Sequence, residues 1–198
     1  MPGPGVWDNA LHVTIDMQRL FAEDTPWHTP SLGSILPNVV RLCEARPDRT
    51  VYARFVVPPN AQQASGSWKT YYDRWQMMTG DMLDPAMLDL VEPLSAVAAR
   101  GWIVEKSTYS VFAVPGFAER LAAEQVDTVI MSGVETDVCV YASMLAAVDL
   151  GYRVVLATDA LGSADPKAHD AVLQHLAPRL PEQIELMTTA AVLERWKR

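Results

Sequence analysis

The feature that most constrains the fold is an alternation of short apolar segments rich in Val and Ile with longer segments of helical period. The strand-like segments span residues 10–15, 50–56, 102–105, 128–132, 153–157 and 183–186. The helical segments span residues 35–45, 85–99, 117–124, 138–150, 167–177 and 190–197. This alternation is typical of a parallel sheet covered by helices on both faces. It predicts an α/β fold: a three-layer αβα sandwich around a mostly parallel, six-stranded Rossmann-like sheet.

Length and composition favour a single domain. With 198 residues, of which 49% are apolar, the chain can bury one substantial core, so we expect residues 1–198 to form one unit. Residues 1–9 begin with alternating Pro and Gly and are predicted to be a flexible tail. Residues 58–84 break the alternation and are predicted to be an irregular lid or interface segment, because so long a connection often carries function.

Net charge and hydropathy exclude two classes of partner. The formal charge of −8, from 24 acidic and 16 basic residues, argues against nucleic-acid binding, which needs clustered Lys and Arg. The apolar segments are interrupted well before the roughly 20 residues that span a bilayer, so no membrane association is expected. The N-terminus lacks a basic and then apolar signal pattern, which predicts a cytoplasmic location.

Three chemically distinct side chains follow strand-like segments that lie far apart in the sequence. Asp16 follows the first strand, Lys106 follows the third, and Cys139 follows the fourth after a turn at Gly133. Reactive groups gather at the carboxyl ends of parallel strands, where helices begin and loops form a crevice. A helix start also offers free N–H groups and a favourable dipole, so we expect Cys139 to be activated towards its thiolate.

These three groups suit nucleophilic attack on a carbonyl compound. Asp16 can accept the thiol proton, Lys106 can stabilise anionic forms, and the Cys139 sulfur can attack the carbonyl carbon to give a thioester. The other cysteine, Cys43, falls on the apolar face of a predicted helix, so a packing role is expected. With no CxxC motif or Cys/His pair, the cysteines do not predict a metal site.

The same residues carry a family resemblance, which extends from about Leu11 to about Thr189. The motifs that carry the resemblance are Asp16-Met17-Gln18, Glu105-Lys106, Gly133-Val134-Glu135-Thr136-Asp137-Val138-Cys139-Val140 and Thr158-Asp159-Ala160. With these motifs the chain resembles the isochorismatase-like superfamily of cysteine hydrolases, which includes nicotinamidases and other small-amide hydrolases. The resemblance implies the catalytic set Asp16, Lys106 and Cys139.

The resemblance also implies the geometry of an oxyanion hole. A cis peptide between Val134 and Glu135 would direct the backbone N–H groups of Glu135 and Cys139 at the substrate oxygen. It further implies a homo-oligomer, a dimer or tetramer.

The chain departs from the nicotinamidase branch at its metal ligands. Nicotinamidases resemble Asp-x-His after the second strand, whereas this chain reads Arg54-Phe55-Val56-Val57-Pro58. Its four histidines, His12, His28, His169 and His175, are dispersed and are interpreted as structural or exposed. We therefore expect neither a metal ion nor any other cofactor.

The retained thiol indicates the reaction type. A thiol nucleophile has a purpose only where an acyl group can be transferred to it, which favours C–N hydrolysis of a small carboxamide, carbamoyl or ureide compound with release of ammonia. One alternative is an isochorismatase-type vinyl-ether hydrolase, which can work without the thiol. Another is a catalytically silent ligand-binding or scaffold protein of the same fold.

Seven residues are candidates for substrate contact, each with a structural alternative. Gln18 can orient a loop, Arg54 can form an internal ion pair, and the aromatic side chains can pack in the core or at a subunit contact. The seven are Gln18, Arg54, Trp68, Tyr72, Trp75, Tyr109 and Phe112.

Overall fold

The structure, a computed structural model, describes residues 7–196. Six strands form one sheet in the order β3-β2-β1-β4-β5-β6, and every neighbouring pair is parallel. The strands are β1 (Ala10–Ile15), β2 (Thr50–Phe55), β3 (Trp102–Lys106), β4 (Thr128–Val134), β5 (Arg153–Gly162) and β6 (Ile184–Met187). The predicted α/β architecture is confirmed, and all six strands are parallel.

Helices cover both faces of this sheet. The α-helices are α1 (Arg19–Ala22), α2 (Leu32–Ala45), α3 (Ser67–Arg74), α4 (Leu94–Ala98), α5 (Phe117–Ala123), α6 (Tyr141–Asp149), α7 (Pro166–Ala171) and α8 (Thr189–Arg195). Helices α2, α4 and α8 contribute to one buried apolar cluster, whereas α5 and α6 contribute to the other. Residues of β1 alternate between the two clusters because successive side chains of a strand point to opposite faces. The result is the predicted three-layer sandwich.

The predicted helix over residues 85–99 is wrong. The chain forms a 3₁₀ turn at Pro85–Leu88, pairs Leu90 with Gln18 in an isolated antiparallel bridge, and becomes α-helical only at Leu94–Ala98. Pro93 disfavours helical geometry at the residue before it and has no N–H to continue a helix. An apolar periodicity alone could not reveal this interruption.

Two predictions of irregular structure need correction. Residues 58–84 contain helix α3 and two 3₁₀ turns, Ala61–Gln63 and Gln76–Met78, so the segment is largely ordered. Of the predicted tail, residues 1–6 lie outside the described residues. Trp7 is buried, its N–H donates to the Arg195 carbonyl at 3.0 Å, and its ring lies beneath the guanidinium groups of Arg153 and Arg195. The large apolar ring therefore holds the start of the described chain against the domain.

Gly133 allows the two central strands to approach each other. It pairs with Ile15 of β1 and has a φ of 105°, a conformation that favours glycine. A Cβ atom at this position would lie 2.1 Å from the Ile15 carbonyl oxygen. The glycine thus places the end of β4 directly beside the backbone that leads into Asp16.

None of the helices in residues 7–196 is both long enough and apolar enough to cross a lipid bilayer.

Candidate active site

Asp16, Lys106 and Cys139 meet at the carboxyl edge of the sheet. Lys106 Nζ donates a hydrogen bond to Asp16 Oδ2 at 2.8 Å and a longer one to the Thr108 carbonyl at 3.3 Å. The Cys139 thiol lies close enough to Asp16 and Lys106 to interact electrostatically with both. Asp16 and Lys106 are each 1% exposed and Cys139 is 7% exposed, so the three groups interact away from bulk water.

Burial and mutual charge shift the pKa of each group. Burial raises the pKa of Asp16, although the neighbouring Lys106 ammonium opposes this change. Burial would lower the pKa of Lys106, but the combined interactions with Asp16 and Cys139 outweigh it and the pKa is raised. Burial and the Asp16 charge raise the pKa of Cys139 well above its usual value, with Lys106 opposing. The raised pKa values of Cys139 and Lys106 favour a neutral thiol beside an ammonium.

This electrostatic state corrects the expectation that a helix start would favour the Cys139 thiolate. Cys139 lies inside a π-helical turn, Thr136–Val140, that precedes α6. Burial and, after it, the Asp16 charge oppose ionisation of the sulfur at this position. Proton removal must consequently accompany attack, and Asp16 is the acidic group that interacts with the thiol.

The turn between β4 and Cys139 has unusual backbone geometry. The peptide between Val134 and Glu135 is cis, at the position that the resemblance implied. The Glu135 carbonyl accepts the N–H groups of Val138 and Val140, which lie on either side of Cys139. Asp16 itself has a φ of 55°, an uncommon conformation for a residue with a side chain. The reactive groups are thus carried on short, constrained turns.

A cavity of about 280 Å³ opens onto the sulfur. Its walls are mostly aromatic, and Glu135 supplies an acidic side chain. It is lined by Phe21, Pro26, Trp27, His28, Phe55, Tyr71, Tyr109, Glu135, Val138, Cys139 and Ala164. A buried nucleophile at the wall of a concave, mainly apolar cavity has the form of a small-molecule site.

Sequence reasoning missed most of these walls. Phe21 lies in α1, Pro26, Trp27 and His28 follow α1, and Ala164 follows β5. The rule that located Asp16 could have located them, since loops after parallel strands all border the same crevice. The aromatic residues Phe21 and Trp27 in the segment after the first strand were the available signal.

The aromatic candidates for substrate contact divide between two places. Tyr109 lines the cavity. Trp68 and Tyr72 line a separate depression, and Trp75 packs against Trp27 with ring centroids 6.5 Å apart. Phe112 packs against Phe117 at 5.0 Å and lies outside the cavity lining.

The two polar candidates have structural partners instead of substrate. The fully buried Gln18 donates to the Phe55 and Leu88 carbonyls at 3.0 and 2.8 Å and accepts the Phe55 N–H at 2.7 Å. Arg54 pairs with Glu105 at 2.5 Å and Asp89 at 4.0 Å. These contacts are those of the loop-orienting alternative for Gln18 and of the ion-pair alternative for Arg54.

The remaining candidate ligands are dispersed. His12 is buried and bonds to the Ser132 hydroxyl at 2.8 Å, and burial lowers its pKa to about 3. His169 bonds to the Thr136 hydroxyl at 2.8 Å. Burial raises the pKa of Cys43 to about 12, which agrees with its expected packing role. Within residues 7–196, no three His, Cys, Asp or Glu side chains are grouped to share a metal ion.

The chain is similar in sequence to two named proteins. A probable inactive nicotinamidase of Arabidopsis thaliana is 27% identical over 172 residues, which cover 83% of this chain and 86% of the relative. A maleamate amidohydrolase of Pseudomonas putida is 32% identical over 97 residues, covering 45% of this chain and 46% of the relative.

A solved structure shares the fold over nearly its whole length. The cysteine hydrolase from Pseudomonas syringae pv. phaseolicola 1448A superimposes with a TM-score of 0.79 at 24% identity, covering 98% of each chain. Residues 10–191 match the model of the isochorismatase domain. With this match over nearly its whole length, the chain belongs to the isochorismatase family.

Proposed function

We propose that the protein is a metal-independent cysteine hydrolase that cleaves a C–N bond of a small carboxamide, carbamoyl or ureide compound and releases ammonia. One observation carries this proposal: Cys139 lines a cavity while its thiol interacts electrostatically with the buried Asp16 and Lys106, which are themselves paired at 2.8 Å. A thiol, a base that touches it and a fixed ammonium are the parts that acyl transfer to sulfur requires.

In the first half-reaction the Cys139 thiol loses its proton to Asp16 as its sulfur attacks the carbonyl carbon. The carbonyl π electrons move to oxygen, and the backbone N–H groups of Glu135 and Cys139 donate hydrogen bonds to that oxyanion. The oxyanion then re-forms the carbonyl, the C–N bond breaks, and Asp16 returns its proton to the departing nitrogen. Ammonia leaves and a thioester remains on Cys139.

In the second half-reaction Asp16 removes a proton from water, and the resulting hydroxide attacks the thioester carbon. The C–S bond breaks as the carbonyl re-forms, and the sulfur regains its proton from Asp16. Lys106 remains cationic because its interactions with Asp16 and Cys139 raise its pKa, and it stabilises each anionic state. One carboxylate thus serves both half-reactions.

The relatives favour amide hydrolysis and also define a second candidate. The maleamate amidohydrolase bears a name that denotes C–N cleavage, which supports the proposed reaction class. The Arabidopsis relative is named as probably inactive, which favours a catalytically silent protein as the second candidate. This chain has a buried acid, Asp16, close to a cavity-lining thiol, Cys139. That pair weighs against a catalytically silent protein.

A screen for ammonia release tests the proposal. We expect at least one member of a panel of small amides, carbamoyl compounds and ureides to release ammonia, with an acyl adduct on Cys139 detectable by mass spectrometry after rapid acid quenching. Alkylation of Cys139 by iodoacetamide in the absence of substrate serves as the control for access to the sulfur. Failure of the whole panel, together with an inert thiol, would support the silent candidate.

Chelation provides a separate test of metal independence. Because the proposed mechanism places charge stabilisation on Lys106 and backbone N–H groups, we expect prolonged dialysis against EDTA to change kcat/KM by less than about twofold. Activity is measured before and after dialysis, and again after addition of Zn²⁺ or Mn²⁺. A loss on dialysis that metal restores would contradict this part of the proposal.

A further inference from the structure

The lining of the cavity that borders Cys139 includes an acidic residue, Glu135, and a histidine, His28. Among the described side chains that line it, Glu135 is the carboxylate, and neither Lys nor Arg is present. The Glu135 carboxylate accepts the Ala164 N–H at 2.9 Å, which holds it in place at the cavity wall. Asp137 lies close enough to act electrostatically on Glu135. The wall that a substrate meets is therefore electronegative.

Lys106 and Arg54 lie outside the cavity lining and are already paired. Lys106 Nζ lies 2.8 Å from Asp16 Oδ2 and 4.7 Å from the centroid of the Phe55 ring. Arg54 is held by Glu105 and Asp89. A carboxylate on a substrate would lose its hydration in this cavity, would find neither Lys nor Arg in its lining, and would face Glu135.

Aromatic rings complete the wall around Glu135. Trp27 stands among them, with its ring centroid 5.8 Å from that of Tyr71 and 6.4 Å from that of Phe21. The Glu135 and Cys139 side chains both act electrostatically on Tyr71. The acid, the aromatic ring and the nucleophile therefore border the same cavity. Ring faces attract cations through their quadrupole, and desolvation strengthens that attraction.

We propose that the cavity selects amides whose acyl group carries an ammonium group and rejects those whose acyl group carries a carboxylate. The inference rests on the hydrolase function proposed above and specifies its substrate class. The cationic group lies against Trp27 and Tyr71 and is neutralised by Glu135, while the carboxamide reaches the Cys139 sulfur. Selectivity arises as much from the absence of a partner for an anion as from attraction of the cation.

A series of three amides that share the same two-carbon spacer tests this selectivity. β-Alaninamide, butanamide and succinamate present the same carboxamide and differ in a terminal ammonium, methyl or carboxylate group. We expect kcat/KM for ammonia release to fall in that order, by about tenfold or more at each step. Equal values, or a preference for succinamate, would overturn the inference while leaving the proposed function intact.

Substitution of Glu135 by Gln identifies the source of the preference. Gln can still accept the Ala164 N–H but carries no charge. The readout is the ratio of kcat/KM for β-alaninamide to that for butanamide, which a general loss of activity would not alter. We expect this ratio to fall about tenfold in Glu135→Gln. The exposed Glu119, on α5 and outside the cavity lining, provides the matched control: Glu119→Gln removes the same overall charge and should leave the ratio unchanged.

A binding measurement that involves no hydrolysis distinguishes the inferred charge selectivity from the proposed hydrolase function. Choline and its uncharged isostere 3,3-dimethylbutan-1-ol are titrated into the wild-type protein and into Glu135→Gln by isothermal titration calorimetry at 150 mM salt. We expect choline to bind at least about tenfold more tightly than the alcohol to wild type, and this difference to disappear in the variant. If no amide is hydrolysed but this preference is present, the proposed function fails and the inference about charge selection stands. If choline shows no preference over the alcohol, the inference is overturned whatever the outcome of the ammonia screen.

Discussion

Replacing Asp16 with asparagine is expected to lower kcat/KM for ammonia release by about 10³-fold or more while the protein stays folded. Asparagine matches aspartate in size and tolerates the left-handed backbone of this residue, whose φ is 55°. It cannot accept a proton from Cys139, whose pKa burial and Asp16 hold well above the usual range. Without a base in contact with the sulfur, both half-reactions should stop.

The measurement is steady-state ammonia release, with circular dichroism and the thermal unfolding midpoint as controls for folding. Cys139→Ala provides the matched comparison, since it removes the nucleophile and keeps the base. For thioester chemistry the alanine variant should be at least as impaired as Asp16→Asn, whereas a vinyl-ether hydrolase should retain turnover without the thiol. An Asp16→Asn protein that keeps a tenth or more of wild-type activity would contradict the mechanism.

Replacing Gly133 with alanine is expected to lower the free energy of unfolding by about 3 kcal/mol or more. The new Cβ would lie 2.1 Å from the Ile15 carbonyl oxygen and 2.7 Å from the Ile15 nitrogen, and both atoms belong to the backbone of the central strand β1. Gly133 also has a φ of 105°, which alanine adopts only with strain. Relief of this clash would require β1 and β4 to move apart, and that movement would displace Asp16 as well.

Gly151→Ala is the matched control for this prediction. Gly151 has a φ of 87°, but an added Cβ would meet no atom within 4 Å. We expect this change to cost about 1 kcal/mol, the backbone contribution alone. Urea denaturation of both variants and wild type gives the comparison. If Gly133→Ala were no less stable than Gly151→Ala, the close approach of the strands would have no energetic consequence.

Strand positions and strand ends were predictable because they depend on short-range composition. The Val- and Ile-rich segments led to six strands whose bounds agree with the structure to within a few residues, except that β5 continues to Gly162. This extension occurs because Gly133 and Val134 of β4 pair with Leu161 and Gly162 after a shift in register. Such a shift depends on a neighbouring strand and has no local signature.

Properties that depend on surroundings were not predictable in the same way. The raised pKa of Cys139 reverses the expectation drawn from its place near a helix start, because the carboxylate that opposes ionisation comes from β1, more than a hundred residues away in sequence. Gln18 and Arg54 were candidates for substrate contact, yet their polar atoms bind the Phe55 and Leu88 backbone and two acids. Long-range packing decided which polar groups were left for substrate.

The sequence by itself determined the parallel α/β architecture and the three residues whose chemistry meets at one edge of the sheet. Parallel pairing follows from the alternation of strand and helix segments, and strand ends converge wherever parallel strands share a sheet. Tertiary structure alone decided the protonation state of the thiol, the aromatic cavity and its acidic wall. These depend on distances between side chains brought together by folding, because desolvation and Coulomb interactions act through space and not along the chain.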